Sequence, residues 1–131
     1  MGEIAFWIYM FLCMLLIPGV MIFFGIKFQK AAPKNINWAY GYRTERSTKN
    51  RDTWEFAHKC IGSLWKTWGT VLLPISIIPL FFVFGAEVKT VGNLCLPIMG
   101  VQLIAMLIPI FIVESRLKKT FDKYGRRKTR E

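Results

Sequence analysis

Acidic residues, histidine and cysteine are scarce in this chain. It has eight Asp and Glu against eighteen Lys and Arg, three cysteines and a single histidine, His58. Enzymatic chemistry needs a nucleophile with a base, a carboxylate pair or a metal cluster at defined spacings. The sequence has no Walker motif, no GxSxG and no paired Cys/His ligands. We therefore expect no enzyme activity, no metal site and no cofactor.

The three cysteines, Cys13, Cys60 and Cys95, have no metal-ligand spacing. They fall at different depths of the predicted membrane architecture described below. Free cysteine behaves as a small apolar residue when it is buried. We interpret all three as packing residues.

Charge is almost absent from three long stretches, Ile4–Phe28, Trp68–Phe84 and Leu94–Val113, where Lys27 is the one charged residue. About 20 apolar residues in a helix cross the hydrocarbon core of a bilayer. The chain is therefore predicted to be an all-α membrane protein, one domain with three transmembrane helices at about 4–28, 68–84 and 94–113. The first stretch exceeds the ~7–15 apolar residues of a signal peptide and no basic residue precedes it, so we expect it to remain as an anchor.

The net charge of +10 is concentrated in two segments. Residues 27–60 carry eight Lys and Arg against three acids, and residues 115–131 carry eight against two. Short basic loops stay on the cytoplasmic side. This predicts a multi-pass membrane protein with its N-terminus outside and with residues 29–67 and the tail 114–131 on the cytoplasmic side. The basic tail suits anionic lipid headgroups, and we expect no direct binding of nucleic acid.

An amphipathic helix is predicted from about residue 51 to residue 67, with Asn50 as the most favourable N-cap. Residues on one face are apolar, whereas those on the opposite face are charged or polar. The apolar face comprises Trp54, Ala57, His58, Ile61, Trp65, Trp68 and Leu72, and the polar face comprises Asp52, Glu55, Lys59, Ser63, Lys66 and Thr70. This segment either lies along the cytoplasmic interface or extends helix two out of the bilayer.

Three features of the other segments carry expectations about packing. Pro18 removes a backbone donor from helix one, so a neighbouring helix must satisfy the freed carbonyl. Gln102, a polar residue near the middle of helix three, should hydrogen-bond to a neighbouring helix. In the tail, Leu117, Phe121 and Tyr124 have helical spacing, which predicts a short helix on lipid that ends near Gly125.

Polar and aromatic residues converge on the cytoplasmic side of the predicted bundle: Tyr42, Arg43, Thr44, Ser47, Asn50, Trp54 and His58. Arg43 could hold a carboxylate or phosphate through two parallel hydrogen bonds. The alternative is that this cluster caps helix two and anchors the chain to headgroups. His58 could sense pH or contact a ligand, but we favour a histidine packed between Trp54 and helix one.

The order of these residues resembles the SdpI (SdpI/YfhL) family of bacterial membrane proteins. The similarity rests on Pro33 through Asn37, GYRT at 41–44, RS at 46–47, KN at 49–50, TW at 53–54, FAH at 56–58, and Gly62 followed by Leu64-Trp65. It extends to the Pro-Gly of helix one and to Glu114–Gly125. By resemblance, the signature positions are Asn37, Gly41, Tyr42, Arg43, Thr44, Ser47, Asn50, Trp54 and His58. The chain departs at Glu45, often Pro in the family, and at Thr48, frequently Met.

The resemblance implies that the protein is an immunity or signalling factor of the bacterial inner membrane. The family is named for a protein that protects a cell from its own antimicrobial peptide and also holds a transcriptional repressor at the membrane. The expected partners are therefore the bilayer, a peptide toxin or a cytosolic repressor, with homo-oligomers also open. The founding member is longer and has additional spans. The alternatives are a small transporter or oligomeric channel-like protein, or a purely structural membrane protein.

Overall fold

Three long helices form the protein in the computed structural model, which describes residues 2–37 and 39–128. They are α1 (Gly2–Lys30), α2 (Arg51–Phe81) and α3 (Val88–Thr120). Trp38, in the predicted loop, and residues 129–131, at the end of the predicted tail, lie outside the described residues. The predicted all-α class is confirmed, and the one β feature in the described chain is an isolated bridge between Phe121 and Arg127.

All three helices are long and apolar enough to cross a membrane, as predicted. Each begins before the apolar stretch that predicted it, and α1 and α3 also end after it, because polar and amphipathic residues continue the helical backbone. Helix α2 ends at Phe81, three residues before the predicted end at 84, since residues 82–85 form a turn. The early start of α2 resolves the alternative left open by the sequence. The helix runs without interruption from Arg51 to Phe81, so the amphipathic segment extends helix two.

The two ends of the bundle differ in structure. We call the end that carries residues 31–50 and the C-terminal tail the loop end, and the end that carries residues 82–87 the turn end. At the turn end one apolar cluster joins all three helices: Trp7, Met10, Met14, Leu80, Val91 and Cys95. The Trp7 indole N–H also donates to the Leu80 carbonyl at 2.7 Å, which ties the start of α1 to the end of α2.

Helices α1 and α2 touch through glycines near the loop end. A Cβ on Gly62 would lie 2.5 Å from the backbone nitrogen of Gln29, and a Cβ on Gly25 would lie 2.5 Å from that of Lys66. Both glycines therefore permit a contact of backbone against backbone. Gly19, by contrast, has nothing within 4 Å of its Cβ position, so it leaves an open notch on α1.

A buried polar link crosses the middle of the bundle. In a regular helix the Met14 carbonyl would accept from residue 18, but Pro18 has no N–H. Gln102 on α3 donates to that carbonyl at 3.0 Å and to Ser76 Oγ on α2 at 2.8 Å. This one contact confirms two predictions. Gln102 hydrogen-bonds to a neighbouring helix, and the carbonyl freed by Pro18 has a donor on another helix.

The tail does not form the predicted helix ending near Gly125, and that expectation was wrong. Helix α3 ends at Thr120, and Phe121 pairs with Arg127 across a tight turn. Gly125 has a φ of +82°, which glycine adopts without strain, and Asp122 Oδ1 accepts from the backbone N–H groups of Tyr124 and Arg126. These local bonds favour a turn over a further helical turn, although the spacing of the apolar residues suits both.

The predicted orientation can be tested with single cysteines at Glu45 and Thr90, which are both exposed and lie at opposite ends of the bundle. The native Cys13, Cys60 and Cys95 are first replaced by alanine. In intact cells, a membrane-impermeant maleimide should label position 90 and spare position 45, because the basic loop is expected inside. Labelling of position 45 would reverse the predicted orientation.

The glycine contact predicts a large effect of Gly62→Leu. The added side chain must displace the backbone of α1, which we expect to cost about 1–3 kcal/mol or more. Thermal unfolding in detergent, followed by tryptophan fluorescence, measures this loss. Gly100→Leu is the matched control because nothing lies within 4 Å of its Cβ position. Equal melting temperatures for the two variants would contradict the close contact.

Candidate functional site

The start of α2 is fixed by a reciprocal cap. Asn50 Oδ1 accepts from the backbone N–H of Thr53 at 2.9 Å, and Thr53 Oγ1 accepts from the backbone N–H of Asn50 at 3.0 Å. Two helix-terminal donors are thereby satisfied. The predicted N-cap at Asn50 is confirmed. Thr53, which belongs to the same box, was not among the predicted site residues, although the Asn-x-x-Thr spacing is its signal.

Residues 44–47 form a turn closed by two side chains. Ser47 Oγ accepts from the Thr44 N–H at 2.8 Å, and Thr44 Oγ1 accepts from the Ser47 N–H at 3.1 Å. The Ser47 hydroxyl in turn faces the Tyr42 carbonyl at 3.0 Å, and Ser47 is fully buried. Thr44 and Ser47 therefore shape the loop and leave little hydrogen-bonding capacity for a ligand.

His58 joins this loop to α2. The backbone N–H of Tyr42 donates to His58 Nε2 at 2.9 Å, and His58 Nδ1 lies 2.8 Å from the Trp54 carbonyl. A backbone N–H can only donate, so Nε2 is the acceptor and Nδ1 carries the proton of a neutral ring. His58 is fully buried, and the rings of Trp54 and Phe28 lie 4.3 and 4.9 Å away. This is the packed histidine that we favoured from the sequence.

Gly41 and Trp54 complete the contact between loop and helix. Gly41 has a φ of +108°, and a Cβ there would lie 2.8 Å from His58 Nε2. Both the backbone conformation and the space therefore require glycine. The Trp54 indole N–H donates to the Pro33 carbonyl at 2.9 Å, and its side chain is fully buried. Trp54 thus anchors the first half of the loop.

Tyr42 connects the loop to α3. Its hydroxyl donates to Glu114 Oε1 at 2.7 Å, and its ring packs in a cluster with Phe28, Ile61 and Val113. Burial, followed by the hydrogen bond to Glu114, raises the pKa of Tyr42 well above its usual range, so the hydroxyl remains a donor. Glu114 was predicted only as the first residue of the cytoplasmic tail and of the resembling stretch Glu114–Gly125. Its role depends on a helix crossing that no local pattern encodes.

The tail is held by the same cap. The Asn50 side-chain amide donates to the Gly125 carbonyl at 2.6 Å, and a Cβ on Gly125 would lie 2.7 Å from that amide nitrogen. Arg127 adds two hydrogen bonds of 2.8 Å to the carboxylate of Asp52. One residue, Asn50, therefore caps α2 and positions the C-terminal turn.

Arg43 stands apart from the other signature residues. Asn37 binds within its own turn, accepting from the Ala39 and Tyr40 N–H groups. Arg43 is exposed and makes no hydrogen bond or ion pair with any other residue in 2–37 or 39–128. Arg43 is one of the residues that line a groove of about 400 Å³ between α1 and α3. The other eight signature residues build the loop, whereas Arg43 is free to contact something else.

The groove itself was not predicted. Its walls are mostly apolar and come from all three helices and the loop: Val20, Phe24, Phe28, Ala39, Tyr40, Gly41, Tyr42, Arg43, Thr44, Trp65 and Ile110. The Trp65 indole N–H donates to the Met106 carbonyl at 3.2 Å, which fixes this ring as the floor. A groove between elements distant in sequence depends on their packing, so neither hydropathy nor spacing could show it.

The contact between His58 and Tyr42 predicts that His58→Leu weakens the fold. It leaves the buried Tyr42 N–H without an acceptor, which should lower the free energy of unfolding by about 1–3 kcal/mol. Unfolding in detergent, followed by tryptophan fluorescence, gives the value. Lys59→Leu is the control, since its side chain is exposed on the polar face. If the free energy of unfolding falls equally in both variants, the hydrogen bond between Tyr42 and His58 does not stabilise the fold.

Comparisons with known proteins agree with this architecture. The family model described as the SdpI/YfhL protein family matches residues 34–113, which include all nine signature residues, the whole of α2 and most of α3. The chain is also 31% identical over 100 residues to a protein of Bacillus subtilis (strain 168) named "Uncharacterized protein YfhL", covering 76% of this chain and 81% of that protein. No solved structure matches the chain. With its three apolar helices and this match, the chain is a multi-pass membrane protein that belongs to the SdpI/YfhL family.

Proposed function

We propose that this protein is an immunity or signalling factor of the bacterial inner membrane that acts by binding a partner at its loop end. The observation that carries the proposal is the state of Arg43. Eight of the nine signature residues are engaged in building and holding the loop, and the ninth projects an unpaired guanidinium beside an apolar groove. A rigid platform that presents one cation beside apolar walls is suited to recognition.

Recognition is supported over catalysis by the state of His58. Both of its ring nitrogens are occupied by backbone groups, so the imidazole cannot take a proton from a substrate without breaking the loop. The Glu114 carboxylate, which contacts the loop from α3, is engaged by the Tyr42 hydroxyl and lies 3.9 Å from Arg46. A binding role needs only Arg43 and the groove, which are free. Catalysis would need His58 or Glu114, whose polar atoms already hold the fold together.

The chemistry of a partner follows from Arg43 and the groove. An amphipathic peptide would place an apolar face against Phe24 and Ile110 and a carboxylate at Arg43. A membrane-active antimicrobial peptide has such apolar surface, and so has the amphipathic segment of a membrane-tethered regulator. Protection from a peptide toxin and tethering of a regulatory protein thus draw on the same site.

The protection proposal is tested by deleting the gene and exposing cells to a panel of antimicrobial peptides. Deletion should sensitise cells to at least one peptide, and complementation with the parent should restore resistance. Arg43→Ala should fail to restore it, because loss of a charge-assisted bond weakens binding about tenfold or more. Lys119→Ala, an exposed cation at the same end of the bundle, should restore resistance fully. Immunoblots of membranes confirm equal amounts of each variant.

Unchanged sensitivity across the panel would overturn the protection proposal. The tethering alternative would then have to show a regulatory protein at the membrane of parent cells and in the cytosol of Arg43→Ala cells. If that protein also stays in place, neither half of the proposed function holds.

A further inference from the structure

We propose that the groove beside Arg43 binds one acyl chain of an anionic phospholipid, with the lipid phosphate held at the guanidinium. Such a lipid would come from the bilayer, whether or not the protein has a toxin or a regulator as partner. The depth of the groove, its apolar lining, the charge beside it and its extension along α1 all suit a phospholipid.

The depth of the groove matches one leaflet. Along α1 it extends from Phe28, near the loop end, to Val20, which is about 12 Å at a rise of ~1.5 Å per residue. The hydrocarbon of one leaflet is half of a core ~30 Å thick, or about 15 Å. A chain that enters at the loop end can therefore lie along the groove as far as the middle of the membrane.

The groove opens towards lipid. Helix α2 forms its floor at Trp65, while α1 and α3 form opposite walls at Phe24 and Ile110. A second apolar groove of about 340 Å³ continues along α1 and shares Val20 and Phe24 with the first. Gly19 lines this continuation as an open notch. The two grooves form one apolar track on the surface that faces lipid in a membrane-spanning bundle.

Charge at the mouth selects the headgroup. Arg43 lines the mouth, and Lys27 Nζ lies 5.1 Å from the ring centroid of Tyr40, another residue of the lining. No acidic side chain is among the described residues that line the groove. Two cations above an apolar track complement a phosphate above an acyl chain. Arg binds phosphate through paired hydrogen bonds, and a cation near an anionic leaflet is attracted to it.

An acyl chain and a peptide helix would use this site in different ways. Spread over a length of about 12 Å, the groove volume of about 400 Å³ leaves a width of roughly 6 Å, whereas a helix with its side chains is about 10–12 Å across. A peptide could lie over the groove but could not fill it. An acyl chain is narrow and flexible, and the protein is already surrounded by acyl chains in a membrane.

The test is native mass spectrometry of the purified full-length chain in detergent, titrated with dioleoylphosphatidylglycerol or with dioleoylphosphatidylcholine. The two lipids have the same acyl chains and differ in headgroup charge. The parent should bind the anionic lipid about tenfold more tightly than the zwitterionic one. Arg43→Ala should remove this preference, and Lys119→Ala should keep it.

Gly19→Phe tests the track at a distance from the headgroup. The new ring enters the notch without a clash and should weaken binding of both lipids, whereas Gly100→Phe, at an open position on α3, should not. Melting temperatures near that of the parent show that each variant is folded. The proposal is overturned if Arg43→Ala retains the preference, or if Gly19→Phe binds lipid as Gly100→Phe does.

The two proposals fail separately. If Arg43→Ala loses protection in cells but binds lipid as the parent does, a peptide occupies the site and the lipid proposal is wrong. If the lipid titrations follow expectation while deletion leaves peptide sensitivity unchanged, the lipid site stands and the immunity role is wrong.

Discussion

The hydrogen bond from the Tyr42 backbone to His58 holds together parts of the chain that the three helices alone would leave separate. Because the His58 ring is fully buried, breaking this bond would strand a donor and an acceptor in an apolar setting. The bond fixes the loop over α2 and so aims Tyr42 at Glu114 on α3. This contact therefore helps to set the position of the loop beside the groove.

A second constraint acts through Asn50. The same side chain accepts a bond from the first turn of α2 and donates one to the C-terminal turn. Local secondary structure and long-range packing are thus specified by a single amide. The exposed pair between Asp52 and Arg127 reinforces this junction, but a solvent-exposed ion pair contributes little to stability. The half-buried Asn50 amide contributes more to the position of the tail than the exposed salt bridge does.

Much of the fold could be predicted because its determinants are local. Hydropathy indicated three helices, side-chain type indicated the cap at Asn50, and helical phase separated buried Trp54 from exposed Glu55. The tail shows where local signals fail. Phe121 has helical spacing with Leu117, but Gly125 and its contact with Asn50, 75 residues away, decide the conformation. The candidate site also has a part that could be predicted from the sequence and a part that could not. Its members were predicted from their order in the chain, whereas the free state of Arg43 and the groove emerged only from packing.

The bond between Gln102 and the Met14 carbonyl has a consequence for how the chain assembles. Helices enter a membrane in order of synthesis, and α1 arrives with a carbonyl that Pro18 has left bare in hydrocarbon, where an unmet polar group is costly. Its partner arrives only with the last helix. Completing α3 therefore supplies the hydrogen-bond donor that the Met14 carbonyl has lacked since α1 was inserted.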